Sequence, residues 1–331
     1  PQHVMETVIV GNTAMHHFLC GLPVAQLGAS PYVPAVSSSL TYPASDIGLS
    51  IAPAGRVHMP QNIAGYVGGD HTSALLITSQ LSAEFPVVLV DIGTNTEISL
   101  VLPGEIYTCS TASGPAFEGA HIRDGMRAAP GAIDRLKIRD GQVEVNTIDS
   151  AKPVGICGTG ILTAVSEMVD AGILDEKGSI NKSCEGVRVI ERKAEFLLVP
   201  AAETGHGRDI VVTRKDVNEI QLAKAAIRAG IEILLDSAGV IAEDVKSWVI
   251  AGAFGTFLDL GSAVKIGMFP NVPLDRFLQV GNAAGMGAKQ MLLSISKRTA
   301  AKQLTGKVQY IELTTRKDFT DKYMQAMYLG D

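Results

Sequence analysis

Residues Val87–Leu102 read VVLVDIGTNTEISLVL, and the fold turns on how they are parsed. A β-branched, apolar run leads into Asp91-Ile92-Gly93-Thr94-Asn95-Thr96, and a second such run, Glu97–Leu102, follows. Each half has the length and residue types of a strand, so the stretch predicts a β-hairpin. Gly93 lets a ligand approach the backbone closely. The hydroxyls and N–H groups of Thr94, Asn95 and Thr96 can face phosphate oxygens. Asp91 cannot bind a phosphate itself, but it can hold a Mg²⁺ ion, or that ion's water shell, against one. An ordinary polar hairpin turn uses the same residues, so the rest of the chain has to separate the two readings.

Downstream, Glu105–Cys109 supplies a third strand and completes a meander. Ser113-Gly114-Pro115 then reads as a turn into a helix carrying Glu118, His121, Arg123 and Arg127. Three positions apart on such a helix, Glu118 and His121 would share a face as an acid–base pair; a solvated carboxylate is the plainer alternative. Ile133–Ile138 and Gln142–Ile148 flank Asp140-Gly141, a hairpin signal. Val154–Gly160 (VGICGTG) leads into the apolar helix Ile161–Ala171, and the loop Gly158-Thr159-Gly160 at a helix start is an anion site in type. Cys157 beside it reads as a buried thiol. Thr213-Arg214-Lys215-Asp216 is a capping box opening a long helix with apolar spacing from Ile220 to Leu234, ended by Gly239. Val245–Ala251 is a buried strand that ends in Ala251-Gly252-Ala253-Phe254-Gly255, where small residues would let something flat lie against the backbone, or would simply pack a strand on a helix. Leu278–Val280, the Ala/Gly-faced helix Ala283–Ile295, the strand Gln309–Leu313 and the helix Asp318–Tyr328 close the chain.

Upstream, Val8-Ile9-Val10 reads as a buried strand ending at Gly11-Asn12-Thr13, with Ala14–Cys20 as a short helix that Asn12 and Thr13 would cap. His16 and His17 would point about a hundred degrees apart on it, which excludes a shared metal and leaves them structural or superficial. Gly28–Pro60 is rich in Pro, Ser and Ala, with an edge strand at Gly55–Met59. The glycine-dense crossing Pro60–Asp70 leads into a helix at His71–Gln80, and this joint places a lobe boundary near residue 83. The expected organisation is residues 1–83 as a partial first lobe with connecting helix, and residues 84–331 as a second lobe with the phosphate and adenosine loops.

A chain of 331 residues with 46% hydrophobic and 19% charged content has room for two lobes and a large core. The net charge of −6 is spread along the chain, against the clustered Lys and Arg of a nucleic-acid binder. No apolar run has the length of a membrane span. Cys20, Cys109, Cys157 and Cys184 form no CxxC and no ligand spacing, which points to a reducing cytoplasm and against a zinc or iron–sulfur centre held by these residues. The chain opens on Pro1, just before a strand, and is expected to be a piece of something longer.

Three glycine-centred loops thus stand at strand ends, and together they fit one nucleotide between lobes. The order resembles the acetate and sugar kinase, Hsp70 and actin superfamily, an α/β, two-lobed fold with mixed sheets. Val88–Val101 is similar to one of its phosphate hairpins and Val249–Gly255 to its adenosine-binding turn. Gly11–Pro23, Asp91–Ile98, Ser113–Asp134, Cys157–Gly160, Thr213–Ile231 and Ile250–Asp259 are similar, in order, to the ATP-dependent reductive activators of corrinoid proteins. The resemblance implies ATP and Mg²⁺ as cofactors, and a two-iron two-sulfur cluster held on a separate N-terminal domain. It implies a corrinoid protein of a methyltransferase system as partner, whose cobalt is returned from Co(II) to Co(I). It also implies Asp91 as the Mg²⁺ ligand, phosphate contacts from Gly93 to Thr96, Ser113, Gly114 and Gly158 to Gly160, and adenosine contacts from Gly252 to Gly255. Asp91, Glu97 and Glu118 are the catalytic candidates, the last two as residues that orient water. The cluster cysteines and the earlier phosphate hairpin of a full two-lobed member are not found here. A small-molecule kinase of the same fold and a non-catalytic module that binds the corrinoid protein are the competing expectations, and the small-residue helices leave room for a homodimer.

Overall fold

The computed structural model describes residues 1–81 and 84–330, so residue 83, where the lobe boundary was expected, lies outside the described residues. The chain opens with β1 (Glu6–Val8), α1 (Thr13–Leu19), β2 (Leu40–Pro43) and β3 (Arg56–Met59), whose strands form a small sheet in the order β1-β3-β2. The expected edge strand is therefore central, parallel to β1 and antiparallel to β2. Buried Val57 and Met59 give it two neighbours' worth of apolar cover. Asn12 caps α1, its side chain accepting from the Met15 N–H at 2.9 Å. His16 and His17 are both buried, with their Nδ1 atoms 3.3 Å apart; neither is superficial, and the rings meet despite their angular separation on the helix. α2 (Gly69–Leu81) follows.

Next come β4 (Val87–Ile92), β5 (Thr96–Val101) and β6 (Ile106–Thr111), an antiparallel meander as read from the sequence. β7 (Ala132–Arg139), β8 (Gln142–Thr147) and β9 (Gly155–Ile156) form a second unit that leads into α3 (Gly158–Asp170). β10 (Val187–Ile190), β11 (Lys193–Val199) and β12 (Ile210–Thr213) form a third, followed by α4 (Arg214–Ala238). The capping box at Thr213 and Asp216 forms as expected, and Gly239 at φ 64° ends the helix in the left-handed region. The chain closes with β13 (Ser247–Ala251), α5 (Leu260–Lys265), β14 (Phe277–Gly281), α6 (Ala283–Leu293), α7 (Ile295–Thr305), β15 (Val308–Tyr310) and α8 (Phe319–Gln325).

The central mixed sheet has the order β14-β13-β4-β5-β6-β15, with β13 parallel to both β14 and β4 and β15 parallel to β6. Side chains alternate along each strand. Val88, Val90, Ile98 and Leu100 therefore enter one core with α3 and α4, while Val87, Leu89, Val101 and Val249 enter another with α2. Two small residues of α6 serve this second core: Ala283 is buried in it, and a Cβ on Gly287 would lie 2.2 Å from the Ser73 carbonyl of α2.

Two helices differ from expectation. The helix starting near Ser113 is a single 3₁₀ turn, Pro115–Glu118; Gly119 at φ 79° and His121 at φ 67° then turn the chain away. Glu118 and His121 consequently share no helix face, and His121 faces Glu219 at 3.7 Å instead. The helix expected over Ala283–Ile295 forms as α6 and ends two residues early, at Ser294 (φ −152°, ψ 121°), which opens the unexpected α7.

Candidate functional site

The C-terminal ends of β4 and β13 lie side by side, with Asp91 paired to Ala251 in the parallel register, which is where open α/β sheets place ligands. Four segments meet here: the 93–95 turn, residues 113–118, the start of α3, and the turn after β13.

The 93–95 turn is exposed but gripped from behind. Thr94 Oγ1 donates to Glu118 Oε1 at 2.5 Å, and the Gly114 N–H donates to the Thr94 carbonyl at 3.0 Å. Thr96 and Ser113 are both buried and bond to each other at 2.8 Å. Their hydroxyls thus staple the hairpin to the following segment, and the residues of the turn left facing outward are Gly93, Thr94 and Asn95, all exposed.

On the α3 side of the sheet, Phe254 stacks on Phe117 with ring centroids 4.6 Å apart. These two rings, with Glu118, Arg127, Arg135, Gly158, Thr159, Ala253 and Phe257, line a cavity of about 510 Å³, within the usual range for small-molecule sites. The glycines have a packing reason to be there. A Cβ on Gly158 would lie 1.8 Å from the Phe117 carbonyl oxygen, and one on Gly160 would lie 2.1 Å from that of Ile133. Gly252, at φ 93°, abuts the Ile92 carbonyl, and Gly255 abuts that of Ala251. Their small size brings the start of α3 and the post-β13 turn up to the hairpin. Cys157 is buried, its Sγ 3.3 Å from the Ile133 carbonyl, as a structural thiol would be.

The other face of the hairpin carries carboxylates. Asp91 and Glu97 are cross-strand partners, and by alternation both project toward α2, the side on which Ser99 accepts or donates a 2.7 Å bond with His71. Asp70, in the first turn of α2, is within electrostatic reach of both. Burial, reinforced by Asp70, pushes the Asp91 carboxyl up to about 7. Burial, then Asp70 and Asp91, pushes Glu97 to about 8 against the opposing bond from Ser110. Burial also raises Asp70. Like charges in a partly desolvated place favour the neutral form, and a divalent cation would relieve all three. Among the described residues, no group of three or more His, Cys, Asp or Glu side chains is placed to hold a metal ion.

The sequence-derived residues therefore fall on two sides of one turn. Asp91 and Glu97 lie toward α2; Glu118, Gly158, Thr159, Ala253 and Phe254 lie toward α3; and Gly93, Thr94 and Asn95 stand between them. Sequence reasoning missed Asp70, whose position after Gly68-Gly69 reads as a helix-start carboxylate. It also missed Phe117, Arg127 and Arg135 as cavity walls, since they come together only through the turn at Gly119 and the β7 strand.

Residues 86–331 match the family described as the C-terminal domain of RACo, the ASKHA domain, and residues 1–83 match the RACo middle region. The corrinoid activation enzyme RamQ of Eubacterium limosum is 33% identical across 99% of this chain and 56% of its own length. The [Co(II) methylated amine-specific corrinoid protein] reductase of Methanosarcina barkeri is 28% identical across 86% of this chain and 53% of its own. A solved structure of a reductive activator for a corrinoid, iron-sulfur protein superposes with a TM-score of 0.90 at 35% identity, covering 99% of this chain and 53% of that one. The chain thus spans about half the length of the relatives it matches. No helix among the described residues is long and apolar enough to cross a membrane.

Proposed function

Since this chain belongs to the RACo family, carrying its middle region and its C-terminal ASKHA domain, we propose that it is the ATP-binding and ATP-hydrolysing part of a reductive activator. In this reading ATP use drives one electron onto a Co(II) corrinoid protein and restores the Co(I) form that accepts a methyl group. The supporting observation is the meeting of the exposed 93–95 turn, the Phe117–Phe254 cavity and the α2-side carboxylates at the C-terminal ends of β4 and β13.

The residues present fit the groups this reading needs. The aromatic slot and its glycine-lined floor suit a nucleotide base and ribose, and Arg127 and Arg135 suit phosphate charge. Asp91 would hold the water shell of Mg²⁺, and the N–H groups of Gly93, Thr94 and Asn95 would face phosphate oxygens. Thr96, Ser113 and Gly114 act behind the turn, by fixing its shape. Glu97, kept near its neutral form, can orient a water with either protonation state, and Glu118 is held by Thr94. Phosphoryl transfer depends mostly on such positioning and charge stabilisation, so no covalent nucleophile is required. The electron would come from a two-iron two-sulfur cluster on a segment outside these residues. Of the two expected lobes, 1–83 and 84–331, the first lends α2 to the core of the second, so the arrangement that ATP biases and the corrinoid protein selects is that of the β1–β3 part against the rest. The protein would work in the cytoplasm.

The test is ATP turnover in the longer protein with Asp91→Ala, which should be abolished, alongside calorimetry of this chain with Mg-ATP, repeated with Co(II) corrinoid protein. Normal turnover by Asp91→Ala would show the site assignment to be wrong.

A further inference from the structure

A groove of about 1130 Å³ lies on the three-stranded sheet β10-β11-β12 and shares no lining residue with the Phe117–Phe254 cavity. Register sets its floor. Ile190 pairs with Lys193, Arg188 with Glu195, and Glu195 with Thr213, so these side chains stand on one face of the sheet. Ser179–Lys182, the 121–123 segment and the first turn of α4 supply the walls.

The charges around the groove are unevenly satisfied. Glu195 is buried and accepts from Arg188 Nε at 2.6 Å and from Arg123 Nη1. Asp216, also buried, is taken up by the capping box and the Arg123 N–H. Arg214 donates to Gln221 and to the Lys177 carbonyl. The other fully charged side chains lining the groove are Lys182, Arg192, Lys193, Lys215 and Glu191. All five are exposed, and none has a side-chain hydrogen bond or ion pair among the described residues. Four free cations and one free anion thus share one concave surface, on a chain whose net charge is −6.

The backbone sets this surface apart from an ordinary solvated face. Glu191 and Arg192 are the two-residue turn between β10 and β11, at φ 48° and 70°, a geometry that Asn-Gly adopts without strain. His121, also on the groove, has φ 67°. Of the seven non-glycine residues at positive φ among the described residues, three therefore line this one groove, and such strained positions gather where side chains are presented to a ligand.

We propose that the groove receives an extended acidic segment of a partner protein, whose spaced carboxylates pair with Lys182, Arg192, Lys193 and Lys215 while Ile190 offers an apolar contact. Its volume exceeds the range of about 300–1,000 Å³ usual for small-molecule sites. The cations also come from three separate segments and do not converge on a point, which suits a chain better than a compact anion. Glu191 on the turn and the acidic balance of the whole chain disfavour nucleic acid.

The test is fluorescence anisotropy of the whole chain with a fluorescein-labelled peptide of alternating Glu and Ser, at low and at high salt. Binding should be saturable and should weaken as salt rises. Combining Arg192→Glu, Lys193→Glu and Lys215→Glu should weaken it about tenfold or more. Combining Lys289→Glu, Lys302→Glu and Lys307→Glu, the same charge change at exposed lysines on or beside α6 and α7, should alter it less than about twofold. Carbodiimide cross-linking of the peptide to the unmodified chain, read by mass spectrometry, needs no variant to fold and should join it to Lys182, Lys193 or Lys215. An absence of saturable binding, equal losses in the two triple variants, cross-links mainly to lysines outside the groove, or equal competition by tripolyphosphate or a single-stranded oligonucleotide would each overturn the proposal.

Discussion

Replacing Glu97 by Gln should stabilise this protein above neutral pH and do little below pH 5. Glu97 moves from an ordinary 4.5 to about 8 because burial and the charges of Asp70 and Asp91 oppose its ionisation. That displacement corresponds to about 5 kcal/mol of preference for the neutral form, at 1.36 kcal/mol per tenfold change. The side chain keeps partial contact with solvent, so about 2–3 kcal/mol is the expected measurable share. The sign follows from proton counting. Between pH 4.5 and 8 the folded state binds the proton that the unfolded state has lost, so stability falls as pH rises through that window. Below it both states are protonated, and the contribution is fully present. Asp91, pushed up to about 7, acts in the same direction over the lower part of the range. Glutamine keeps an oxygen for the 3.1 Å bond from Ser110 and carries no charge. Urea unfolding at pH 5 and pH 8.5 reads the difference directly. Wild-type stability that is flat or rising between those values, or a Gln variant that is less stable at the higher one, would refute the account of this carboxylate group. Millimolar Mg²⁺ should reduce the pH dependence of the wild type and leave the variant less affected.

Three further outcomes are expected. Gly158→Ala places a methyl group 1.8 Å from a backbone carbonyl and should cost about 2–4 kcal/mol; an unchanged melting temperature would show that α3 does not start against Phe117. Phe254→Ala removes one half of the aromatic stack and should weaken Mg-ATP binding about tenfold in calorimetry, while equal affinity would remove the cavity from the nucleotide site. Asp216→Ala loses both the α4 capping box and the acceptor for the Arg123 N–H at 2.8 Å. It should cost about 2 kcal/mol in urea unfolding, with Asp216→Asn recovering part, and a neutral Ala variant would mean that the 120s loop is held by other contacts.

Most local elements were legible because their signals are local: alternation in Val87–Leu102, the Asp140-Gly141 hairpin, and the Thr213–Asp216 box with its closing glycine. What failed depended on a single backbone choice. Residues after Pro115 have helical composition, yet Gly119 and His121 adopt positive φ, and Arg123 and Asp124 just beyond are tied to Asp216 and Val211, 93 and 87 residues away. α7 was missed because no glycine or proline marks Ser294, where α6 ends and α7 begins. The sheet order was also beyond local reading, since β13 pairs with β4 between residues 160 apart, as Ser247 with Val87. At the site, the residue types at the strand ends were visible, but not the face each would occupy. Register decides that Thr96 and Ser113 turn inward and that Asp91 and Glu97 look toward α2.

The place of α2 has a consequence for how such proteins can be rearranged. It closes the stretch that matches one family description, yet it lies on the sheet belonging to the next, with Ala74, Leu75 and Ile77 covering Val87, Leu89 and Val249. His71 reaches Ser99, and Ser99 reaches Thr108, each at 2.7 Å, across the same junction. Farther along, Arg298 pairs with Glu6 at 2.8 Å. The border between the two matched regions is thus not a border of folding. Chimeras joined at residues 83–86 between distant relatives would inherit mismatched halves of one core, whereas a join before β1 would leave that core whole.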